Sequence, residues 1–590
     1  MKRSAYLRRL SFSTKDSVSR TSGAPGWRSW LALAAALFIL NFALTFHNIW
    51  PTLWITTRHE LSIEIALLLV ALAAYSALVR PPSARCMTIL ALVLILLSIG
   101  RYAEVTAPAL YGRPVNLYWD APHVLNVATM LKVAASPMTA VLVTVGLAGI
   151  IGLAFLALRW SLNQVRAALE FPRLRLGLAI LSVALVALYL IGHTSAPLRT
   201  LRWFSVPVTW TYWGQASFTL DAYRQARGRD ESVCARLSYD YDLTRTAGAD
   251  VFVMFLESYG ATAYDRPEIS TVVEPSRLRL LESATATGRE VVSAYVRSPT
   301  FGGASWLAHS TFFTGQPVRD NGTYNLLLTQ DCEVMTKAFA RNGYRILSLM
   351  PGLKRDWPEG AFYRFDAIFG ERALDYRGPD FGWWRIPDQY AIAKLDKVEL
   401  RTEPRPPVFL FFPTISSHMP FRPTPPYQPD WPRVLSELPY DSDEVAASLA
   451  ARPNWTDLSL DYAATIAYAF DYLSGYLRER PELDLVLVLL GDHQPPASVA
   501  GEGARWDVPV HVIASRPALL EPLIAAGFSP GIRPAATPVG PMHELGELLF
   551  GGTRNEAAAQ LRIDVTGTGP RGQFGDEFLD ARPVDPLAQR

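Results

Sequence analysis

Five long apolar stretches lie within the first 200 residues of this 590-residue chain, and no other feature restricts its fold so severely. They are Trp30–Trp50, Leu61–Val79, Met87–Tyr102, Met138–Leu158 and Leu176–Ile191. Crossing the hydrocarbon core of a bilayer takes about 20 residues, so each is read as a span, the third being short. The first run is too long, and lacks a small-residue cleavage site, to be a removable signal peptide. A buried helix of a soluble protein would not be followed by four more such runs.

Five is an odd number, so the two ends of the chain are expected on opposite sides of the membrane. Thirteen basic residues fall on one side: seven in the tail from Lys2 to Arg28, then Arg80 and Arg85, then Arg159, Arg166, Arg173 and Arg175. Only Arg58, Arg101, Arg113 and Lys132 fall on the other. Positive charge marks the cytoplasmic side, which places the tail inside and everything after about residue 195 outside. The chain then divides into a cytoplasmic tail 1–28, a five-span domain 29–195, a linker 196–249, an external domain 250–565 and a C-terminal tail 566–590. Within the spans, the outer loop 101–137 carries Tyr102, Tyr111, Tyr118 and Trp119, residue types that settle at a membrane interface. It reads as an interfacial helix or, more sharply, a platform where the external domain meets lipid head groups. An Ala-, Arg- and Pro-rich composition points to a bacterial inner membrane, with the external domain in the periplasm.

Charge and cysteine content exclude some classes. A formal net charge of +2, with no basic block interleaved with aromatics outside the tail, gives no basis for nucleic-acid binding. The three cysteines, Cys86, Cys234 and Cys332, include no CxxC pair, which disfavours a structural zinc or thioredoxin-like site. A Cys234–Cys332 disulfide is open to a domain outside the cytoplasm, as is a pair of buried free thiols.

Beyond residue 250, continuous apolar runs alternate with helical patterns. Strands are expected at Asp250–Leu256, Glu290–Val296, Tyr344–Leu349, Pro407–Ile415, Leu483–Leu490 and Val508–Ala514. Helices are expected at Pro275–Thr287, Ser305–Thr314, Glu333–Asn342, Leu458–Arg478 and Pro541–Phe550, with a surface excursion at 422–457. The fold class is therefore α/β: a transmembrane domain followed by a sandwich around a largely parallel sheet. Ligands collect beyond the carboxyl ends of strands in such sheets, so the chemistry is sought there.

Three sites stand out by that rule. VFVMFLESYG ends in Glu257, LDLVLVLLGDHQP ends in Asp492 and His493, and SPTFGGASWLAHSTFFTG sets Ser305 at a helix start behind two glycines. Singly, each has a bland explanation: a capping glutamate, a chance Asp-His pair, an N-cap serine. Together, two carboxylates, an imidazole and a hydroxyl could give one divalent cation, manganese or zinc, four ligands. The helix start would also receive an anion.

This combination resembles the sulfatase-like branch of the alkaline phosphatase superfamily, in particular the lipoteichoic acid synthase and periplasmic phosphoglycerol transferase group. The resemblance covers most of the chain. It implies an alkaline-phosphatase-like sandwich with a metal held by Glu257, Ser305, Asp492 and His493, and Ser305 as nucleophile. It further implies that His418 in SSHMPF and Trp357 in GLKRDWPEG bind the substrate phosphate. Where related enzymes place an Arg two residues after that Trp, this chain has Glu359; Lys354 or Arg355 could supply the charge instead. Ser305 is followed by Trp-Leu-Ala rather than the context needed for conversion to formylglycine, which disfavours sulfate-ester hydrolysis and favours a phosphoserine-type intermediate.

Of the other histidines, His309 lies one helical turn after Ser305, a base or substrate contact as readily as a packing residue. His511 in VPVHVIA and His543 at a helix start read as structural. The implied activity is transfer of a phospholipid head group, phosphoglycerol first, from a membrane donor to a periplasmic glycan or lipid. Rival readings are a phosphoethanolamine transferase, a phosphatase or sulfatase-like hydrolase and, from another class, a non-catalytic membrane binding or signalling module.

Overall fold

The computed structural model describes residues 26–49, 52–111, 137–194, 203–227, 241, 243–354, 357–382 and 386–551. They group into two compact units, one of Thr57–Ile99, Val145–Val208 and the stretch ending at Phe46, the other of His47–Thr56, Gly100–Thr144 and everything from Thr209.

The first unit is built from apolar helices: α1 (Trp27–Thr45), α2 (Ile63–Leu78), α3 (Ala84–Tyr111), α4 (Pro137–Leu169) and α5 (Pro172–Thr194). Four of them are long and apolar enough to cross a membrane, and α2 is a shorter apolar helix. The α4 window has a mean hydropathy of 2.6 with only 6% of it buried, a surface that lipid tolerates and water does not. The chain is thus integral to a membrane. Inside this unit Asn41 of α1 is satisfied on both sides of its amide, donating to Glu60 O (2.8 Å) and accepting from Ser62 N (2.9 Å). Such pairing is what a polar group within an apolar helix requires.

Helix ends differ from the expected spans in an informative way. α3 and α4 run well past the apolar stretches, because helix formation does not stop where hydropathy does. Arg159 and Arg166 consequently sit on α4 rather than in a loop, and only Glu170 and Phe171 separate α4 from α5. The outer loop begins as helix, with α3 continuing to Tyr111; residues 112–136, with Tyr118 and Trp119, lie outside the described residues, as do the tail 1–25 and 552–590.

In the second unit, helix α6 (Val208–Arg227) exposes Trp210 and Trp213. The main body is a nine-stranded sheet. Its strands are β1 (Asp250–Leu256), β2 (Glu290–Arg297), β3 (Arg345–Leu349), β4 (Ala367–Phe369), β5 (Val408–Pro413), β6 (Leu485–Gly491), β7 (Asp507–Ala514), β8 (Ser529–Pro530) and β9 (Gly540–Pro541). The order is β8-β2-β7-β6-β1-β5-β3-β4, with β9 beside β2. From β6 to β4 every pairing is parallel. The strand β7 runs against both β6 and β2, and β8 runs against β2, so the sheet is mixed where a largely parallel one was expected. The reason lies in the β6–β7 connection, whose one short helix, Ala497–Ala500, is too small to carry the chain back across the sheet.

Alternate residues of the central strands feed two cores, as a sheet covered on both faces demands. Phe252, Met254, Leu256, Leu487 and Leu489 pack with α7 (Pro267–Ala286) and α10 (Ser459–Glu479). Val251, Val253, Phe255, Phe411, Val488 and Leu490 pack on the other face with α8 (Ser305–Thr314) and α11 (Met542–Phe550). Between α8 and α10 in the chain comes α9 (Asp388–Leu395). Helix α7 starts at Pro267, eight residues earlier than expected, and holds Pro275 inside; packing against α10 offsets the lost backbone bond. The excursion 422–457 contains a helix, Ser442–Ala450, with no buried residue.

Candidate active site

The register of the central strands sets the site. Leu256 pairs with Gly491, so the next residues, Glu257 and Asp492, leave the sheet side by side. Gly491 must be glycine, since a Cβ there would overlap the Tyr259 carbonyl oxygen. The strand β2 points the same way as β6, which brings the turn that follows it to the same edge. In that turn Gly302, Gly303 and Ala304 all have positive φ (67°, 146° and 63°), and α8 begins immediately after. Thr300 Oγ1 donates to Gly303 O (2.6 Å), and Gly302 N donates to Gln494 O (3.1 Å), tying this turn to the strand-β6 loop.

Ser305 Oγ donates to Glu257 Oε2 at 2.9 Å and lies 3.1 Å from His493 Nε2. The His493 ring is oriented by its other nitrogen, Nδ1, which donates to Gln494 O at 2.7 Å. Its Nε2 is 3.4 Å from Glu257 Oε1 and 3.6 Å from Asp492 Oδ2. One ligand atom each from Glu257, Asp492 and His493 lies within 4.8 Å of the others, and all three residues are buried. Asp492 Oδ1 accepts from Ser258 N (2.8 Å) and His493 N (2.7 Å), while Oδ2 is buried without a partner.

The charge balance of this cluster suits a cation. Burial, with the charge of Glu257 adding to it, raises the Asp492 carboxyl to about 8. Burial works downward on His493, but Asp492 and Glu257 outweigh it and lift the imidazole to about 9. Glu257, which burial alone would raise, is held well below the usual carboxylate range by His493 and, to a lesser degree, His418. Protons and a dication would compete for the same ligating atoms. Together with the orphaned Asp492 Oδ2, this donor set of carboxylates, one imidazole and one hydroxyl fits manganese or zinc.

Several residues that the sequence did not single out hold this cluster. Thr414 Oγ1 accepts from Glu257 N (3.1 Å), Ser258 Oγ donates to Glu257 Oε1 (3.1 Å), and Ser417 Oγ donates to Glu257 O (2.6 Å). Asp388, at the start of α9, accepts from Ile415 N (3.0 Å) and Ser416 N (2.8 Å), fixing the turn that carries His418. Burial raises its carboxyl to about 6. Of these only Ser417, beside His418 in SSHMPF, carried a local signal.

The remaining expected residues are placed as follows. His418 follows β5, and its Nδ1 donates to Met419 O at 2.8 Å. Trp357 packs on Tyr363 (5.6 Å between centroids) and Phe365 (6.1 Å), as part of the aromatic wall on the α8 face. Lys354 is exposed, and Arg355 lies outside the described residues. His309 is wedged between Phe255 (4.5 Å) and Phe411 (5.2 Å), with Nε2 buried and unpartnered; burial lowers its pKa to about 3. His511 is a satisfied core residue, bonded to Ser293 Oγ (2.7 Å) and Tyr259 OH (3.0 Å). Cys332 is buried and disulfide-bonded and Cys86 is free; Cys234 lies outside the described residues.

Solved members of the alkaline phosphatase superfamily are similar to this chain. One, from Vibrio parahaemolyticus, is 17% identical over 45% of this chain and 59% of its own, with a TM-score of 0.30. The lipooligosaccharide phosphoethanolamine transferase A (EptA) from Neisseria meningitidis is 14% identical over 82% of this chain and 87% of its own, with a TM-score of 0.42. The lipoteichoic acid synthase LtaP from Listeria monocytogenes is 14% identical over 53% of this chain and 75% of its own, with a TM-score of 0.32. No family model and no curated protein sequence matches the chain. At such identities the chemistry has to be read from the side chains.

Proposed function

We infer that this chain is a membrane-anchored, metal-dependent phosphotransferase that moves the phosphoglycerol head group of a phospholipid, through Ser305, to a periplasmic glycan or lipid acceptor. The observation that carries this reading is the position of Ser305 Oγ, between Glu257 Oε2 and His493 Nε2 at the first residue of α8. A hydroxyl held there is set against an anion by the helix start and against a base by its own hydrogen bond.

Glu257, Asp492, His493 and Ser305 would hold one divalent cation, which when bound lowers the pKa of the Ser305 hydroxyl and neutralises charge on a phosphoryl oxygen. Glu257 Oε2, 2.9 Å from Ser305 Oγ, is the atom placed to take the hydroxyl proton. As Oγ bonds to phosphorus, the phosphorus–oxygen bond to the glyceride breaks, and diacylglycerol leaves with a proton. An acceptor hydroxyl then displaces Ser305 from the phosphoester. His418 and Trp357, with Lys354 or Arg355, are the groups assigned to the substrate phosphate.

A lipid donor suits a chain integral to a membrane, because tethering raises the effective concentration of site and substrate. The basic asymmetry of the spans favours an external domain outside the cytoplasm, and the disulfide-bonded Cys332 supports this, since cytosolic thiols are kept reduced. The test is release of diacylglycerol by the manganese-loaded full chain in phosphatidylglycerol vesicles. Release should vanish with chelator and with Ser305→Ala; release by Ser305→Ala at the unaltered rate would overturn the reading.

A further inference from the structure

The turn between β5 and Pro425 forms one wall of a small cavity. Its lining includes Phe381, Ile386, Ile415, Ser416, His418 and Arg422. The turn is fixed at both ends of this wall. Ser417 donates to the Glu257 carbonyl, Asp388 accepts from Ile415 N and Ser416 N, and Phe421, at φ 66°, is buried against Tyr462 (5.3 Å). A non-glycine residue in that conformation persists only where its surroundings hold it. His418 thus borders both the cavity and, through Ser417, the metal-ligating cluster.

We propose that this cavity receives the group esterified to the transferred phosphate, and that Arg422 selects an uncharged polyol there over an ammonium. The proposal rests on the phosphotransferase reading and adds to it a specificity-determining residue. Size bears on the ligand: the cavity is ≈ 40 Å³ on the scale where one water takes about 10–15 Å³, space for a few heavy atoms and not for a sugar ring. Phe381, Ile386 and Ile415 suit the carbon side of such a group. On the polar side, Arg422 Nε donates to Asp461 Oδ1 at 2.8 Å, while its two terminal nitrogens have no protein partner among the described residues. They are donors for hydroxyl oxygens. No carboxylate lines the cavity among the described residues. Two acids are bonded at this wall, Asp461 by Arg422 and Asn454 N, and Asp388 by Ile415 N and Ser416 N. An ammonium there would lose its water and face the Arg422 guanidinium, whereas a hydroxyl can accept from it.

The experiment titrates the manganese-loaded full chain, carrying Ser305→Ala to prevent turnover, with glycerol 3-phosphate, O-phosphoethanolamine and inorganic phosphate by calorimetry. Glycerol 3-phosphate should bind at least about ten-fold tighter than O-phosphoethanolamine, as expected for a site built to bond hydroxyls. Arg422→Gln should erase that preference and Arg422→Glu should reverse it. Because Arg422 also pairs with Asp461, a second variant guards against misfolding: Ile386→Trp fills the cavity and should lose glycerol 3-phosphate while keeping inorganic phosphate. Equal affinities in the parent chain, or a preference that survives Arg422→Gln, would overturn the pocket alone. Binding of none of the three compounds would overturn the phosphotransferase reading and the pocket with it.

Discussion

Asp492 shows at a single residue why the cluster calls for a cation. One carboxylate oxygen accepts two backbone N–H groups and the other is buried without a hydrogen bond, 3.6 Å from His493 Nε2, a state that costs free energy unless a ligand completes it. Asp492→Asn keeps an acceptor for the two amides and removes the charge. It should weaken metal binding by more than the about 10–100-fold that loss of an outer partner costs, read as metal content of the purified chain. Stoichiometric metal in that variant would remove Asp492 from the site. His511 makes a separate prediction. Burial depresses its pKa to about 3 from an unfolded value of 6.5, so the unfolded chain takes up a proton first as pH falls. The stability it contributes is present above about 6.5 and is lost toward pH 3, at up to about 1.4 kcal/mol per pH unit. The apparent Tm of the solubilised protein should drop between pH 7 and 5, and His511→Gln should flatten that drop; an unchanged slope would contradict it. Residue identities at the cluster were legible because Glu257, Asp492 and His493 end apolar runs and Ser305 follows two glycines. Thr414 was not, because its partner lies 157 residues away in the chain. Arg422 and Asp388 likewise take meaning only from loops that the fold brings together.

At the scale of elements, the six long strands could be read because both sheet faces are covered and their sequences are continuously apolar. The short strands β4, β8 and β9 have two or three residues each, too few to show any period. The reversal of β7 was equally invisible, since pairing direction depends on what the connection can span. The helix α8 was read with the right ends, but not the left-handed residue that aims it. Ala304 occupies φ 63°, ψ 43°, where a Cβ costs roughly 1–2 kcal/mol. Ala304→Gly should therefore fold at least as stably and keep its activity. Ala304→Val should lower the melting temperature and reduce turnover by shifting Ser305. A Val variant as stable and active as the parent would show that this turn does not position the nucleophile.

For the whole molecule, apolar helices and an α/β sandwich were both apparent from hydropathy and alternation. Helix lengths were not, because α3 and α4 continue as helix beyond their apolar segments. The expected topology can be checked in spheroplasts, where added protease should degrade the chain beyond residue 200; protection of that region would contradict it. The central claim, however, is a covalent one: phosphorus passes through Ser305. Incubating the full chain with manganese and phosphatidylglycerol, quenching, and weighing the peptide that contains Ser305 reads this directly. A glycerophosphate adduct on Ser305, absent from Ser305→Ala, is the predicted result. A phosphoethanolamine adduct formed from phosphatidylethanolamine instead would keep the nucleophile and change the donor. An unmodified Ser305 in a chain that still releases diacylglycerol would contradict the mechanism.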